Sequence, residues 1–315
     1  MSSRLGSLLY AAALVVVLGA GCAVPRGVPT VPTSPSVPVS VPVSLTVAES
    51  ASSPGIPTGS TLTAQPTSAT ASASVPRTTT ATSKTVVRSS ATTSAAQGCG
   101  LSAALLGKDL TLVPGSAKVV ALTFDAGANA NGVPSILATL AGRQVPGTFF
   151  LTGAFVEAFP TASRQIAAAY PIGNHTQNHK DLTQLTTAGV QTEIRTGAAS
   201  IQRVTGVNPR PYFRFPYGAV SARTIATVNA ECYVPFRWTV DSWGWKGTAG
   251  GMSADEVQRR VVGALRPGAI VLMHVGSNPD DGTTFDANAL PQIIDEIRAQ
   301  GYTLVTLEHV LPATP

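Results

Sequence analysis

Beyond residue 117 the chain alternates between short apolar runs and longer stretches of helical period. The apolar runs are Lys118 to Phe124, Gly147 to Leu151, Tyr170 to Gly173, Tyr212 to Phe215, Val234 to Val240, Ala269 to Met273 and Tyr302 to Leu307. Near-continuous runs of this length read as strands buried on both faces. Between them lie Val133 to Leu140, Thr161 to Ala169, Gly189 to Val204, Ser221 to Asn229, Ala254 to Leu265 and Ala289 to Ala299, all with helical patterning. Ser253 ahead of Asp255 and Glu256 reads as the capping box that starts one of them. Seven strands alternating with helices predict an α/β fold with a parallel sheet, closed as a distorted seven-stranded (β/α) barrel. The domain is expected to span residues 98–315, its first residues, 98 to 116, forming a short extension pinned at Cys99 with no chemical signal of its own.

The first 97 residues follow other rules. Residues 1–22 carry one base, Arg4, then an apolar stretch from Leu8 to Leu18, then Gly19, Ala20, Gly21 and Cys22. This is the pattern of a secretory signal, too short for a convincing transmembrane span. The small residues before Cys22 resemble a bacterial lipoprotein site, which would anchor the chain to a membrane by a lipid on that cysteine. Gly19 departs from the leucine usual there, so plain cleavage and an uncleaved anchor stay open. Residues 23–97 are almost wholly Pro, Ser, Thr, Ala and Val, a composition that buries no core and is expected to form a disordered tether. At roughly 3 Å per residue when extended, and far less as a coil, it would hold a domain on the order of 50 to 200 Å from its anchor.

Charge and cysteines refine this picture. The formal net charge of +5 invites a nucleic-acid reading. Much of the excess sits in the first 97 residues, where Arg4, Arg26, Arg77, Lys84 and Arg88 face only Glu49, so the domain is nearly neutral and no nucleic-acid partner is expected. If Cys22 is lipidated, Cys99 and Cys232 remain as an even pair in an oxidising compartment; a disulfide and two unpaired thiols are the alternatives.

The candidate chemistry sits at the ends of the predicted strands, where α/β barrels place their active sites. Asp125 ends the first run, Arg214 and Phe215 the fourth, Asp241 the fifth and His274 the sixth, while His175 and His179 follow the third. Two imidazoles at i and i+4 share one face of a helix and can hold a divalent metal. Together, Thr123-Phe124-Asp125-Ala126-Gly127, His175-Thr176-Gln177-Asn178-His179, Arg214-Phe215-Pro216-Tyr217-Gly218, Asp241-Ser242-Trp243-Gly244-Trp245 and Leu272-Met273-His274 resemble the five motifs of the polysaccharide deacetylase family. This family is also called the NodB homology domain or carbohydrate esterase family four.

The resemblance implies a barrel of NodB-homology type and hydrolysis of acetyl groups on a glycan. His175 and His179 match the ligands of a divalent metal, expected to be zinc. Asp125 matches the base that takes a proton from water, with Arg214 orienting it. His274 matches the acid, with Asp241 as its partner, and the backbone N–H of Tyr217 matches the oxyanion donor. Phe215, Tyr217, Trp243 and Trp245 are expected to meet sugar, Trp245 at the acetyl pocket.

Two positions depart from the pattern. Ala126 stands where the family carries a third metal ligand, an aspartate, and Gly244 replaces an acid usual in the fourth motif. Three readings of the first departure stay open: another oxygen from Asn129, Asp280, Asp281 or Asp286; Asp125 moving onto the metal; or a degenerate glycan-binding domain. The expectation is an exported, envelope-tethered N-deacetylase of peptidoglycan or a chitin-like oligosaccharide. An O-acetyl polysaccharide esterase is the alternative within the same machinery.

Overall fold

A computed structural model of the chain describes residues 99–311, so the expected signal with Cys22 and the expected tether lie outside the described residues. Among these residues are eight strands: β1 Val119–Ala126, β2 Thr148–Leu151, β3 Ile172–Asn174, β4 Tyr212–Phe213, β5 Val234–Pro235, β6 Val240–Asp241, β7 Ala269–His274 and β8 Thr303–Val305. Seven α-helices alternate with them: α1 Val133–Gly142, α2 Gly153–Ala158, α3 Pro160–Ala169, α4 Thr187–Thr205, α5 Ala222–Ala230, α6 Ala254–Gly263 and α7 Phe285–Ala299. The strand order is β5-β4-β3-β2-β1-β7-β6, with β8 on β1, and every pairing is parallel.

β1 is the centre of this curled sheet, and all eight of its residues are buried. Val120, Leu122, Phe124 and Ala126 belong to the outer core with Ile136 and Leu140 of α1, Val257 and Val261 of α6 and Ile293 of α7. Val119 and Ala121 pack on the inner side with Phe150, Tyr212, Phe236 and Ile270. The two-residue period of a strand places Thr123 and Asp125 on that same inner side. The core thus carries the first functional carboxylate to the C-terminal end of the sheet.

Two expectations are corrected. The apolar run from Val234 to Val240 is two short strands, β5 and β6, because the carbonyls of Phe236 and Arg237 between them turn to accept bonds from Arg214. The expected distorted barrel stands, as a curled half-barrel, but its seam is closed by the extension read as featureless. Leu110 bridges in parallel to Phe236, Leu112 bridges antiparallel to Ala269, and Thr239 Oγ1 donates to the Thr111 carbonyl at 2.7 Å. The six-residue α2 was missed because it is too short to show a period. Its start is nonetheless capped, Thr152 Oγ1 accepting from Phe155 N.

The seam segment is tied down covalently. Cys99 and Cys232 form a disulfide with their Cα atoms 5.3 Å apart, closing a separation of 133 residues. A loop of that length contributes up to about 5 kcal/mol in the chain-entropy model. Cys232→Ser is expected to lower unfolding stability by roughly 3 to 5 kcal/mol, measured by denaturant titration. A change under about 1 kcal/mol would mean that the seam is held by its hydrogen bonds alone.

Candidate active site

Arg214 follows β4 and is completely buried. Its Nη1 donates to Asp125 Oδ1 at 2.7 Å, Nη2 to Thr123 Oγ1 at 2.9 Å and to the Arg237 carbonyl at 3.0 Å, and Nε to the Phe236 carbonyl at 3.0 Å. The guanidinium also lies 4.1 Å from the centre of the Phe150 ring. Burial alone would raise the Asp125 carboxyl, but Arg214, helped by His175 and His274, outweighs it and holds the group below the usual carboxylate range. Asp125 is thus kept as an anion facing the site.

His175 and His179 are brought together, though not by a helix. The segment after β3 is a loop in which Thr176 and His179 both have positive φ, 70° and 55°. Asn174 Oδ1 accepts from Thr176 N at 2.9 Å, and buried Glu193 of α4 accepts from Asn178 N and Nδ2 at 2.8 and 3.0 Å. These bonds support two turns that a non-glycine backbone resists, and the imidazole centroids end 4.7 Å apart. The Nδ1 of His175 bonds the Arg214 carbonyl at 2.9 Å, while its Nε2 lies 3.3 Å from Asp125 Oδ2. Burial lowers both imidazoles, and His175 lowers His179 further, to about 4.

His274 ends β7, and its partner differs from the expected one. Asp286 Oδ2, in the first turn of α7, accepts from His274 N at 2.9 Å and lies 3.4 Å from its Nδ1. Asp241 instead turns Oδ1 back to Trp243 N at 3.0 Å. Burial works against the charged imidazolium, but Asp286, followed by Asp241 and Asp125, raises His274 above its ordinary range. Asp241 is itself raised by burial, with Asp286 and Asp125 adding to it. The sequence places Asp286 in a loop, as a possible metal ligand, because the helical pattern is evident only from Ala289; the helix in fact starts at Phe285.

Gly244 explains how Asp286 fits. A Cβ at 244 would stand 2.6 Å from Asp286 Oδ1, so a side chain there would require the Asp286 carboxylate to move.

Asp125, His175, His179, Asp241 and His274 line one cavity of about 570 Å³, walled also by Tyr217, Trp238 and Trp245. Tyr217, at φ 59°, is 70% exposed and sets its ring edge-on to His179 at 4.7 Å. Trp245 is half exposed and 6.3 Å from His274 between ring centroids. Phe215 is not a sugar platform: it is buried against Phe213 at 5.0 Å. Trp243 lies outside this cavity, with the Arg260 guanidinium 3.3 Å and the Lys246 amine 3.6 Å from its ring centre. Trp238 was overlooked because it closes an apolar run that looked like core.

A catalytic zinc generally takes three protein ligands. Two imidazoles are present here, but position 126 offers a buried methyl. Among the described residues no group of three or more His, Cys, Asp or Glu side chains is placed to hold a metal ion. Nor do the proposed substitutes supply an oxygen. Asn129 Oδ1 accepts from Ser277 N at 2.8 Å and Asn131 N at 3.2 Å. Asp281 caps Thr248 and Thr283, and Asp280 is exposed in the same turn. Asp286 Oδ2 accepts from His274 N, while its Oδ1 is buried beside Gly244 without a hydrogen-bond partner. The residues present therefore do not complete the metal site that the resemblance implies.

Comparison with known proteins meets this geometry from another direction. A family model described as polysaccharide deacetylase matches residues 113–234. A peptidoglycan-N-acetylglucosamine deacetylase of Bacillus cereus is 33% identical over 189 residues, which cover 60% of this chain and 66% of that protein. A chitooligosaccharide deacetylase of a Bradyrhizobium species is 32% identical over 202 residues, 61% of this chain and 89% of the relative. Among solved structures, a CE4 family pseudoenzyme from Bacillus anthracis aligns with a TM-score of 0.59 at 25% identity, over 65% of this chain and 69% of that one. A mutant of the same protein is described as having restored enzymatic activity. With its five motifs gathered at one end of a parallel half-barrel and this identity to relatives along most of their length, the chain belongs to the polysaccharide deacetylase family.

Proposed function

We propose that this chain hydrolyses N-acetyl groups on a glycan of the bacterial envelope, with peptidoglycan the first candidate. The observation that carries the reading is that two held groups line one cavity as register partners on β1 and β7, a carboxylate at Asp125 held below its usual range and an imidazole at His274 raised above its own. Deacetylation needs a base for water and an acid for the departing nitrogen, and groups with these displaced ranges serve both at neutral pH. The Bacillus cereus and Bradyrhizobium relatives, named for peptidoglycan and chitooligosaccharide, support the substrate class. The expected exported tether fits an envelope polymer.

In this reading Asp125 takes the water proton while Arg214 keeps it ionised and aimed. The backbone N–H of Tyr217, a residue that lines the cavity, stabilises the developing oxyanion. His274 delivers a proton to the nitrogen, and Asp286 holds the residue through its backbone N–H and sets a carboxylate 3.4 Å from Nδ1. Trp245 and Tyr217 present apolar faces to the sugar and acetyl groups. Metal chemistry in this site needs a third ligand from outside the described set, and no step is assigned to it.

The two-donor site and the likeness to a pseudoenzyme favour a second reading, a glycan-binding domain without turnover. Acetate release from peptidoglycan, chitooligosaccharide and acetylated xylan, with and without chelator, separates the readings. The first requires release from one of the N-acetylated glycans, and silence on all three substrates overturns it. Release from xylan alone marks an O-acetyl esterase.

Asp286→Asn keeps the shape beside Gly244 but removes the charge facing His274. Since that carboxylate raises His274, the alkaline limb of the kcat/KM profile should move to lower pH, with kcat falling about 10- to 100-fold. Asp241 and Asp125 still face the ring and limit the shift. An unmoved alkaline limb would leave Asp286 a structural role only.

Ala126→Asp tests the missing ligand through stability. The side chain at 126 is wholly buried among the outer core, so an unpaired carboxylate there should lower the melting temperature by several degrees. Zinc should restore it in Ala126→Asp while changing the natural protein little, because a third donor then joins the two imidazoles. Equal zinc responses in both proteins would place the metal away from this turn.

A further inference from the structure

The cavity of the reacting groups continues, across Tyr217, Trp238 and Asp241, into a second and more open groove of about 840 Å³. Its far wall is cationic, with Arg237 from the β5–β6 connection and Arg259 and Arg260 from α6. This is a concentration of positive charge on a domain whose charges nearly balance.

Arg237 and Arg260 are each engaged at Nε, in different ways. Arg237 Nε is ion-paired with Asp109 Oδ2 at 2.8 Å without a hydrogen bond between them, whereas Arg260 Nε donates to the Asp241 carbonyl at 2.6 Å. Arg260 is further fixed by its stacking on Trp243. Among the described residues, the terminal nitrogens of neither guanidinium make a hydrogen bond to protein. A guanidinium held at Nε, with its terminal fork open, is already ordered for bidentate contact with a carboxylate. The acids on the wall do not cancel this. Glu256 is engaged with Arg259 in an exposed pair of the kind that contributes little, and Asp241 is turned to Trp243 N.

We propose that this groove is a subsite for an anionic substituent of the glycan, a carboxylate on a sugar neighbouring the one that reacts. The inference rests on the glycan-deacetylase reading and narrows it, favouring an acid-bearing amino-sugar polymer over a neutral chitin-like chain. Two sources share that chemistry: a lactyl ether on the sugar itself, or the carboxylates of a peptide attached through it.

The chain's three tryptophans, Trp238, Trp243 and Trp245, all line these two cavities, so their fluorescence reports occupancy. The full chain is titrated with chitotetraose, with a peptide-free glycan tetrasaccharide bearing free lactyl carboxylates, and with the same tetrasaccharide carrying its peptides. An acid-bearing glycan is expected to bind about tenfold more tightly than chitotetraose at low salt, and the margin to shrink at 0.5 M salt, as ordinary screening requires. Which of the two acidic probes gains identifies the source. Arg237→Gln/Arg260→Gln should erase the margin, and Arg237→Lys/Arg260→Lys, which keeps the charge, should retain part of it. Equal affinities for acidic and neutral glycans, no binding of either, or a margin that survives the glutamine variant overturns the proposal. The titration does not depend on turnover. A chain that released no acetate but kept the preference would sink the catalytic reading and leave this one standing.

Discussion

The buried guanidinium of Arg214 is the constraint from which the rest of the site follows. A cation with no exposure is tolerated only when an anion and enough acceptors surround it. Here Asp125, Thr123 and the carbonyls of Phe236 and Arg237 supply them. The carboxylate proposed as base is therefore also the counter-ion that lets Arg214 sit inside the sheet. Removing either group leaves the other as an uncompensated buried charge, so loss of activity and loss of stability are coupled at this pair.

The same bonds account for the shape of the sheet. The backbone after β5 spends two carbonyls on Arg214 rather than on a neighbouring strand, and β5 and β6 separate. A seam opened inside an apolar sheet needs covering, and residues 110–112 provide backbone partners on both sides of it. Asp109, beside this segment, then meets Arg237 at 2.8 Å. An extension without catalytic residues thus fixes the side chain that heads the second groove, and the disulfide holds the extension in place.

Most of the sheet was legible because parallel strands buried on both faces leave near-continuous apolar runs, and because Asp125, Arg214, Asp241 and His274 each end one. Of the two alternatives that the cysteines left open, the structure has the disulfide between Cys99 and Cys232. Less legible were features set by contact between distant segments. The split between β5 and β6 depends on Arg214, some twenty residues earlier in the chain. The histidine spacing suggested a helix, yet the pair converges through a loop braced by Glu193. Phe215 looked like a sugar platform, since nothing local marks which face of β4 its side chain joins. Trp243 belongs to the neighbouring groove for a similar reason, its ring being held by two cations from later in the chain.

The two departures from the family pattern turn out to be physically unlike. At Gly244 the absent side chain leaves a space of definite use, because Asp286 enters it from α7 and brings a carboxylate to His274 from another direction. The missing Cβ at 244 leaves room for the Asp286 carboxylate. At Ala126 no carboxylate enters. The methyl is wholly buried with Phe124 and Leu151, and of the oxygens considered as replacements Asn129 Oδ1 and Asp281 are hydrogen-bonded to neighbouring loops while Asp286 Oδ1 faces Gly244. The proposed base and acid thus each have a charged partner, whereas the metal ligands that the resemblance implies stop at two imidazoles.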